Sequence, residues 1–281
     1  MAIKHVIGVD HVVVAVRDLA RSARDWESLG FTVSPRGLHS PQLGTANHTI
    51  MFGEDYVELL SPVAETDQNA ATRDFLARRE GVERVAFTTD DAQGGADDIT
   101  ARGFPAIGPI HFGRPVPRPG GGEAQARFSV FRWPLTERPA GMRIFACQHH
   151  TRDVVWAPEL TSHANRAVAL RGIDIVTGDP EGAAAHLSRL IDLPATQEGA
   201  TWRVASGSGR ADFVFANADD YARRYPTAIR KGAPAEGVIA LVVAVSDLEA
   251  AAAASGATRH EGGASAPAAR ADGVIIHFIA A

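Results

Sequence analysis

The chain has 281 residues, 45% of them hydrophobic and 22% charged, which describes a folded protein with room for two medium domains and argues against disorder. Its formal net charge is -5 and its basic residues are scattered, so no nucleic-acid footprint or anionic-membrane surface is marked, and a small-molecule partner is expected. A single cysteine, Cys147, excludes an internal disulfide and a thiolate-rich zinc site, so any metal must be held by His, Glu or Asp.

Residues 1–8 lack the charged start and apolar stretch of a secretory signal, and no apolar run approaches the roughly 20 residues of a membrane span, so a cytoplasmic protein is expected. From Gly8 to Leu19 the sequence GVDHVVVAVRDL reads as a buried strand with one polar intruder, His11, ending at a helix-capping acid, Asp18. The phrase returns at Gly81-Val82-Glu83-Arg84, Gly172-Ile173-Asp174-Ile175 and Gly237-Val238-Ile239-Ala240, and each copy runs into a capping acid: Asp91, Asp179 and Asp247. Helices are predicted after each cap, ending near Gly30, Gly103 and Gly256.

Strands then follow each helix. In the first repeat they are predicted at Phe31 to Ser34, Asn47 to Phe52 and Tyr56 to Leu60, with Gly53-Glu54-Asp55 as a turn. In the second they fall at Arg127 to Trp133 and Met142 to His149, in the third at Thr201 to Ala205 and Asp212 to Ala216, and in the fourth at Gly273 to Ala280. Asp67 to Glu80 reads as a bridging helix, and Gly113 to Gly122 as a long loop because it is rich in Pro and Gly. A one-sided sheet cannot bury its inner face alone, so the repeats should pair. The predicted class is therefore α+β, with four βαβββ units paired into two domains: residues 1–150, a linker at 151–169, and residues 170–281.

Alternation along Val9, His11, Val13 and Ala15 places an imidazole among apolar neighbours, where it needs a hydrogen-bond partner or a metal. Glu58 poses the same demand inside Tyr56-Val57-Glu58-Leu59-Leu60. The plain alternatives are a structural histidine and a solvent-facing carboxylate; together, a His and a carboxylate on two strands suit Zn, Mn, Ni or Fe(II). Arg84 stands where His11 would recur and cannot ligate a metal, but a guanidinium can bind a substrate carboxylate or phosphate. Cys147-Gln148-His149-His150 is the densest cluster of ligand types, and adjacent strand residues face opposite ways, so His149 opposes Gln148 and His150. His39 and Asn47 lie around Gly44 and Thr45 near the expected cavity mouth, and His163 and Asn165 fall in the connection after repeat two. Ile175 and Ala240 replace His11 in the second half, which is expected to be a metal-free scaffold, lid or dimer surface, the last implying a homodimer.

The set Asp10-His11, Leu29-Gly30-Phe31, His39 with Gly44-Thr45-Ala46-Asn47, and Tyr56-Val57-Glu58-Leu59 resembles the glyoxalase-like domain of the vicinal oxygen chelate superfamily. The resemblance covers the first half closely; the second half matches in repeat pattern alone. It implies paired half-barrels enclosing a metal, with ligands on the first and last strands of a unit, here His11 and Glu58. Sequence does not choose which face of the β-strand end meets the cavity; His149 is the favoured third ligand, with His39, Asn47, Arg84, Gln148 and His150 as substrate-side candidates, and the resemblance adds Glu58 as general base. It implies a lyase or isomerase working by chelation of vicinal oxygens through a divalent metal. The alternatives are an extradiol-type dioxygenase and a non-catalytic binding or resistance protein.

Overall fold

The β-branched residues after Gly8 form strand β1 (Gly8–Ala15), which is buried along its whole length in the computed structural model, where residues 3–118 and 120–281 are described. Asp18 caps helix α1 (Leu19–Glu27) by accepting from the Arg21 amide. Strands β2 (Gly37–Leu38), β3 (Thr45–Met51) and β4 (Tyr56–Pro62) complete the first unit. Helix α2 (Ala70–Arg78) bridges to the second unit: β5 (Gly81–Thr88), α3 (Ala92–Ala101), β6 (Ile107–Pro117), β7 (Glu123–Arg132) and β8 (Arg143–His149). These make one eight-stranded sheet in the order β2-β3-β4-β1-β5-β8-β7-β6. The two units join through their first strands, since β1 runs antiparallel to β5 while lying parallel to β4.

A short helix α4 (Arg152–Val155) leads to the second sheet. Its third unit is β9 (Ala167–Val176), α5 (Pro180–Ile191), β10 (Ala195–Glu198), β11 (Thr201–Val204) and β12 (Asp212–Ala216). Helices α6 (Ala218–Arg224) and α7 (Thr227–Arg230) intervene before the fourth unit, β13 (Gly237–Val245), α8 (Leu248–Ser255), β14 (Thr258–His260), β15 (Gly263–Ala266) and β16 (Ile275–Ala280). The strand order, β10-β11-β12-β9-β13-β16-β15-β14, repeats that of the first sheet. All four repeated acids cap their helices as read from sequence, Asp91, Asp179 and Asp247 accepting from amides of the following turn. The α+β class with four βαβββ units in two paired sheets is thus observed.

Three local expectations are corrected. Phe31 to Ser34 is not a strand: the Ser34 amide donates to Thr49 O at 2.9 Å, but Pro35 has no amide with which to extend a ladder. The expected loop at Gly113 to Gly122 is strand as far as Pro117. Strand β6 lies at the sheet edge, where the missing amides of Pro115 and Pro117 break no ladder, so prolines that argue against a central strand are tolerated. Residue 119 of that stretch lies outside the described residues. Strand β9 begins at Ala167, inside the stretch read as a connection.

One hydrophobic core runs through both halves, with Trp26, Phe31, Phe87 and Trp133 from the first and Leu187, Phe213 and Phe278 from the second. Phe31 meets Phe278 at 6.0 Å between ring centroids, and Phe87 meets Phe213 at 5.9 Å. Among the described residues no helix is long and apolar enough to cross a membrane.

Candidate active site

The first sheet encloses a cavity of about 490 Å³, within the usual range for small-molecule sites. His11, His39, Glu58 and Arg84, all singled out from sequence, line it. Tyr56, Phe112, Phe128 and Phe145 supply apolar walls. Helix α2 and the turn before it close one side, contributing Gln68, Asn69 and Thr72.

Glu58 is the centre of the polar set. It is 7% exposed, and Asn47 Nδ2 donates to its Oε1 at 2.6 Å. His11 Nε2 lies 3.8 Å from Oε2, and His39 Nε2 lies 3.7 Å from Oε1. Neither contact is a hydrogen bond at that length. Burial acts to raise the Glu58 pKa, but His39, His11, Arg84 and the Asn47 bond outweigh it and hold the group below its usual value, so it is a carboxylate at neutral pH. His39 is carried down to about 4, first by burial, with Arg114 and Arg84 adding and Glu58 opposing, so its ring is neutral.

Each imidazole is also gripped from behind. His11 Nδ1 is 2.6 Å from Asp10 Oδ1, and His39 Nδ1 is 2.7 Å from Thr45 Oγ1. A carboxylate only accepts, so His11 Nδ1 carries the hydrogen. His11 Nε2 then faces Glu58 across 3.8 Å, a gap that leaves room for a proton or a cation between them. Tyr56 stacks on the His11 ring at 4.3 Å and fixes its plane.

Asp10 went unassigned in the sequence, although it is a fully buried acid inside an apolar strand and recurs as Asp174 in the third repeat. Burial raises its pKa, but His149 and His11 overcome this and hold the carboxyl well below its ordinary range. Its Oδ1 accepts from His11 and lies 3.0 Å from His149 Nε2, while Thr88 Oγ1 donates to Oδ2 at 3.0 Å. Asp10, His11 and His149 have mutually close ligand atoms, but the 2.6 Å separation is shorter than the ~3 Å between ligands sharing one ion and marks a charge-assisted hydrogen bond.

The cluster at the end of β8 divides as alternation requires. His149 is on the face of Phe145 and Cys147 but does not line the cavity; it sits against Tyr56, Phe128 and Trp156 and reaches His11 through Asp10. Gln148 faces the other way, accepting from the Ala92 amide at 3.2 Å at the start of α3. His150 Nε2 meets Ser129 Oγ at 2.7 Å. None of the three therefore stands beside Glu58. His163 and Asn165 are structural: His163 Nδ1 accepts from the Thr32 amide at 3.0 Å and Nε2 donates to Met51 O at 2.9 Å, while Asn165 Nδ2 donates to Leu29 O at 2.9 Å.

Three cavity arginines also went unassigned, Arg114, Arg132 and Arg143. Arg114 is 8% exposed, and its guanidinium passes so close to Gly37 that a Cβ there would lie 2.9 Å from Nη1. Arg114 was hidden because β6 was read as loop, while Arg132 and Arg143 lie at the end and start of predicted strands, where the pattern does not say which face an arginine takes.

Among solved structures, a hypothetical protein from Staphylococcus aureus is similar over 97% of this chain and 99% of that chain, with a TM-score of 0.69 at 10% identity. A triple mutant of 4-hydroxymandelate synthase from Streptomyces coelicolor is similar over 98% of this chain and 92% of that chain, with a TM-score of 0.59 at 15% identity. Methylmalonyl-CoA epimerase from Streptomyces coelicolor, in complex with 2-nitronate-propionyl-CoA, covers 52% of this chain and 99% of its own at 22% identity, with a TM-score of 0.40. At these identities the likeness is one of fold. No curated protein matches the sequence. The family model described as a glyoxalase-like domain matches residues 9–191.

Proposed function

The chain belongs to the glyoxalase-like domain family, within the vicinal oxygen chelate superfamily, and from that premise we propose that it is a metal-dependent enzyme of isomerase or lyase type that moves a proton on a small oxygenated molecule. The observation that carries this reading is the convergence of two imidazoles on Glu58, where His11 Nε2 stands 3.8 Å from one oxygen and His39 Nε2 3.7 Å from the other. His11, His39 and Glu58 are the residues that would hold the metal, a set suited to Zn, Mn, Ni or Fe(II). A bound divalent cation supplies Lewis acidity toward a substrate oxygen.

The remaining work belongs to side chains. Asp10 and Thr45 orient the two imidazoles from behind, as partners of metal-ligating histidines do. Asn47 holds Glu58 Oε1, whereas Oε2 accepts no hydrogen bond from the described residues, and this oxygen is assigned the proton-accepting role. Tyr56, Phe128 and Phe145 keep water from the reacting centre. The two-histidine, one-carboxylate set also suits Fe(II) oxygen chemistry, which is the second reading.

Solvent-deuterium incorporation tests both. Protein loaded in turn with Zn, Mn, Ni and Fe(II) is incubated in D2O with a panel of α-hydroxyaldehydes, α-keto acids and catechols. Deuterium is expected at a carbon next to a carbonyl with wild type, and a loss of at least ~100-fold in Glu58→Gln. Incorporation unaltered by Glu58→Gln contradicts the proposal. Oxygen uptake with Fe(II) and no deuterium exchange moves the site to the second reading.

A further inference from the structure

At one end of the cavity Arg84, Arg132 and Arg143 line the wall together. A single carboxylate answers them. Arg84 Nη1 donates to Glu83 Oε2 at 2.7 Å, and Arg143 pairs with Glu83 Oε1. Both also reach Thr72 Oγ1, at 3.1 and 3.2 Å. The Arg132 guanidinium makes no hydrogen bond and no ion pair with another described residue. Burial and then the Arg84 guanidinium lower its pKa, with Glu83 opposing from a distance. Arg143 is drawn down to about 10 by burial and by Arg84, with Glu83 opposing. The three guanidiniums share one hydrogen-bonded carboxylate, Glu83, while Glu58 acts on Arg84 from farther along the cavity, so the Arg132 head is the one left for an incoming anion.

The sheet register ties this cluster to Glu58 and its histidines. His11 on β1 pairs with Ala86 on β5, Ala86 with Phe145 on β8, and Phe145 with Arg132 on β7. His11 and Arg132 therefore share one row across the sheet, three strand spacings or roughly 14 Å apart at the backbone. Phe145 stands between them and meets the His11 ring at 5.4 Å. A ligand lying along this row touches the apolar ring midway and presents its two ends to the two polar groups.

We propose that Arg132, flanked by Arg84 and Arg143, is an oxyanion subsite that takes a carboxylate or phosphate group of the substrate and sets its other end at His11, His39 and Glu58. It rests on reading the cavity as a substrate site, and it assigns the substrate class as an anion. The guanidinium fork matches either group in two-point contact.

Thermal unfolding at constant ionic strength tests the subsite without knowledge of the substrate. Inorganic phosphate and acetate are titrated separately against chloride, with wild type, Arg132→Gln, Arg132→Lys and His39→Ala. The expected result is a saturable rise in Tm for wild type, with the stronger anion identifying the group bound, and a weakening of roughly tenfold or more in Arg132→Gln. Arg132→Lys retains part of the response, and it keeps the test valid should Arg132→Gln not fold. His39→Ala keeps the full response, so a failure of the metal reading leaves this result standing. An equal response in wild type and Arg132→Gln, or no response of wild type to either anion, overturns the proposal.

Discussion

A buried carboxylate that serves two imidazoles and a threonine, as Asp10 does, fixes which nitrogen of His11 points into the cavity. Asp10→Asn keeps the shape and removes the charge that holds the Nδ1 hydrogen. A fall in divalent-metal affinity of ~10–100-fold is expected, measured by competition with a chromophoric chelator, with unchanged affinity as the contrary result. His11 and Glu58 were legible because each breaks an apolar strand. Asp10 broke the same strand one residue earlier and was passed over, because an acid in a repeated phrase reads as part of the repeat. His277 gives a second residue-level test, away from the cavity. Burial, then Arg224 and His260, carries its pKa down from 6.5 to about 3, and it is 3% exposed. Between those values the unfolded chain binds the proton and the folded chain does not, so stability falls as pH drops from 6.5 toward about 3. The slope is up to about 1.4 kcal/mol per pH unit. His277→Phe removes that slope, and urea midpoints at pH 4 and pH 7 should differ less in the variant than in wild type.

At the scale of elements, the two sheets share a strand order but not an open face. Ala240 on β13 corresponds to Arg84 in the repeat and packs in one cluster with Tyr221 of α6, Tyr225 just after it and Ile229 of α7. These helices occupy the side of the second sheet that in the first sheet is cavity. Tyr225 Oη donates to Asp174 Oδ2 at 2.7 Å, and Arg224 Nη1 reaches the same oxygen at 3.0 Å. Asp174 stands at the repeat position of Asp10, so the same buried acid orients histidines in one half and anchors a plug in the other. Burial raises its pKa, with Arg224 and Tyr225 opposing. Tyr225→Phe removes one donor and is expected to lower stability by about 1–3 kcal/mol in urea unfolding, with metal binding in the first sheet unaltered. The plug was not legible, because α6 and α7 are short and carry few apolar residues; what makes them inner elements is the Tyr-to-Asp contact, which is long-range. Strand β6 escaped for the opposite reason, since its prolines signal a loop wherever the strand is not known to lie at an edge.

The whole molecule is held by a core common to both sheets and by polar ties across it. Asp272, in the fourth repeat, accepts from Ser22 Oγ at 2.8 Å and Trp26 Nε1 at 3.0 Å in helix α1, and Arg21 Nη2 approaches it at 3.0 Å. Asp272→Ala leaves Ser22 Oγ and Trp26 Nε1 without this acceptor, while Arg21 keeps Glu80, and should cost about 1–3 kcal/mol. With a shared core, fluorescence and far-UV dichroism should report one coincident unfolding transition for wild type; two separated transitions would show that the halves fold independently. The repeats made this architecture readable, as they fixed the strand and cap of every unit. They did not fix which faces meet.

The central claim is that His11, His39 and Glu58, and not His149, form a metal site. Metal content measured by elemental analysis after equilibration with Zn, Mn, Ni and Fe(II), followed by dialysis, tests it directly. The account predicts retained divalent metal in wild type and in His149→Gln, and its loss in His11→Ala, His39→Ala and Glu58→Ala. Metal kept by His39→Ala and lost from His149→Gln would contradict it.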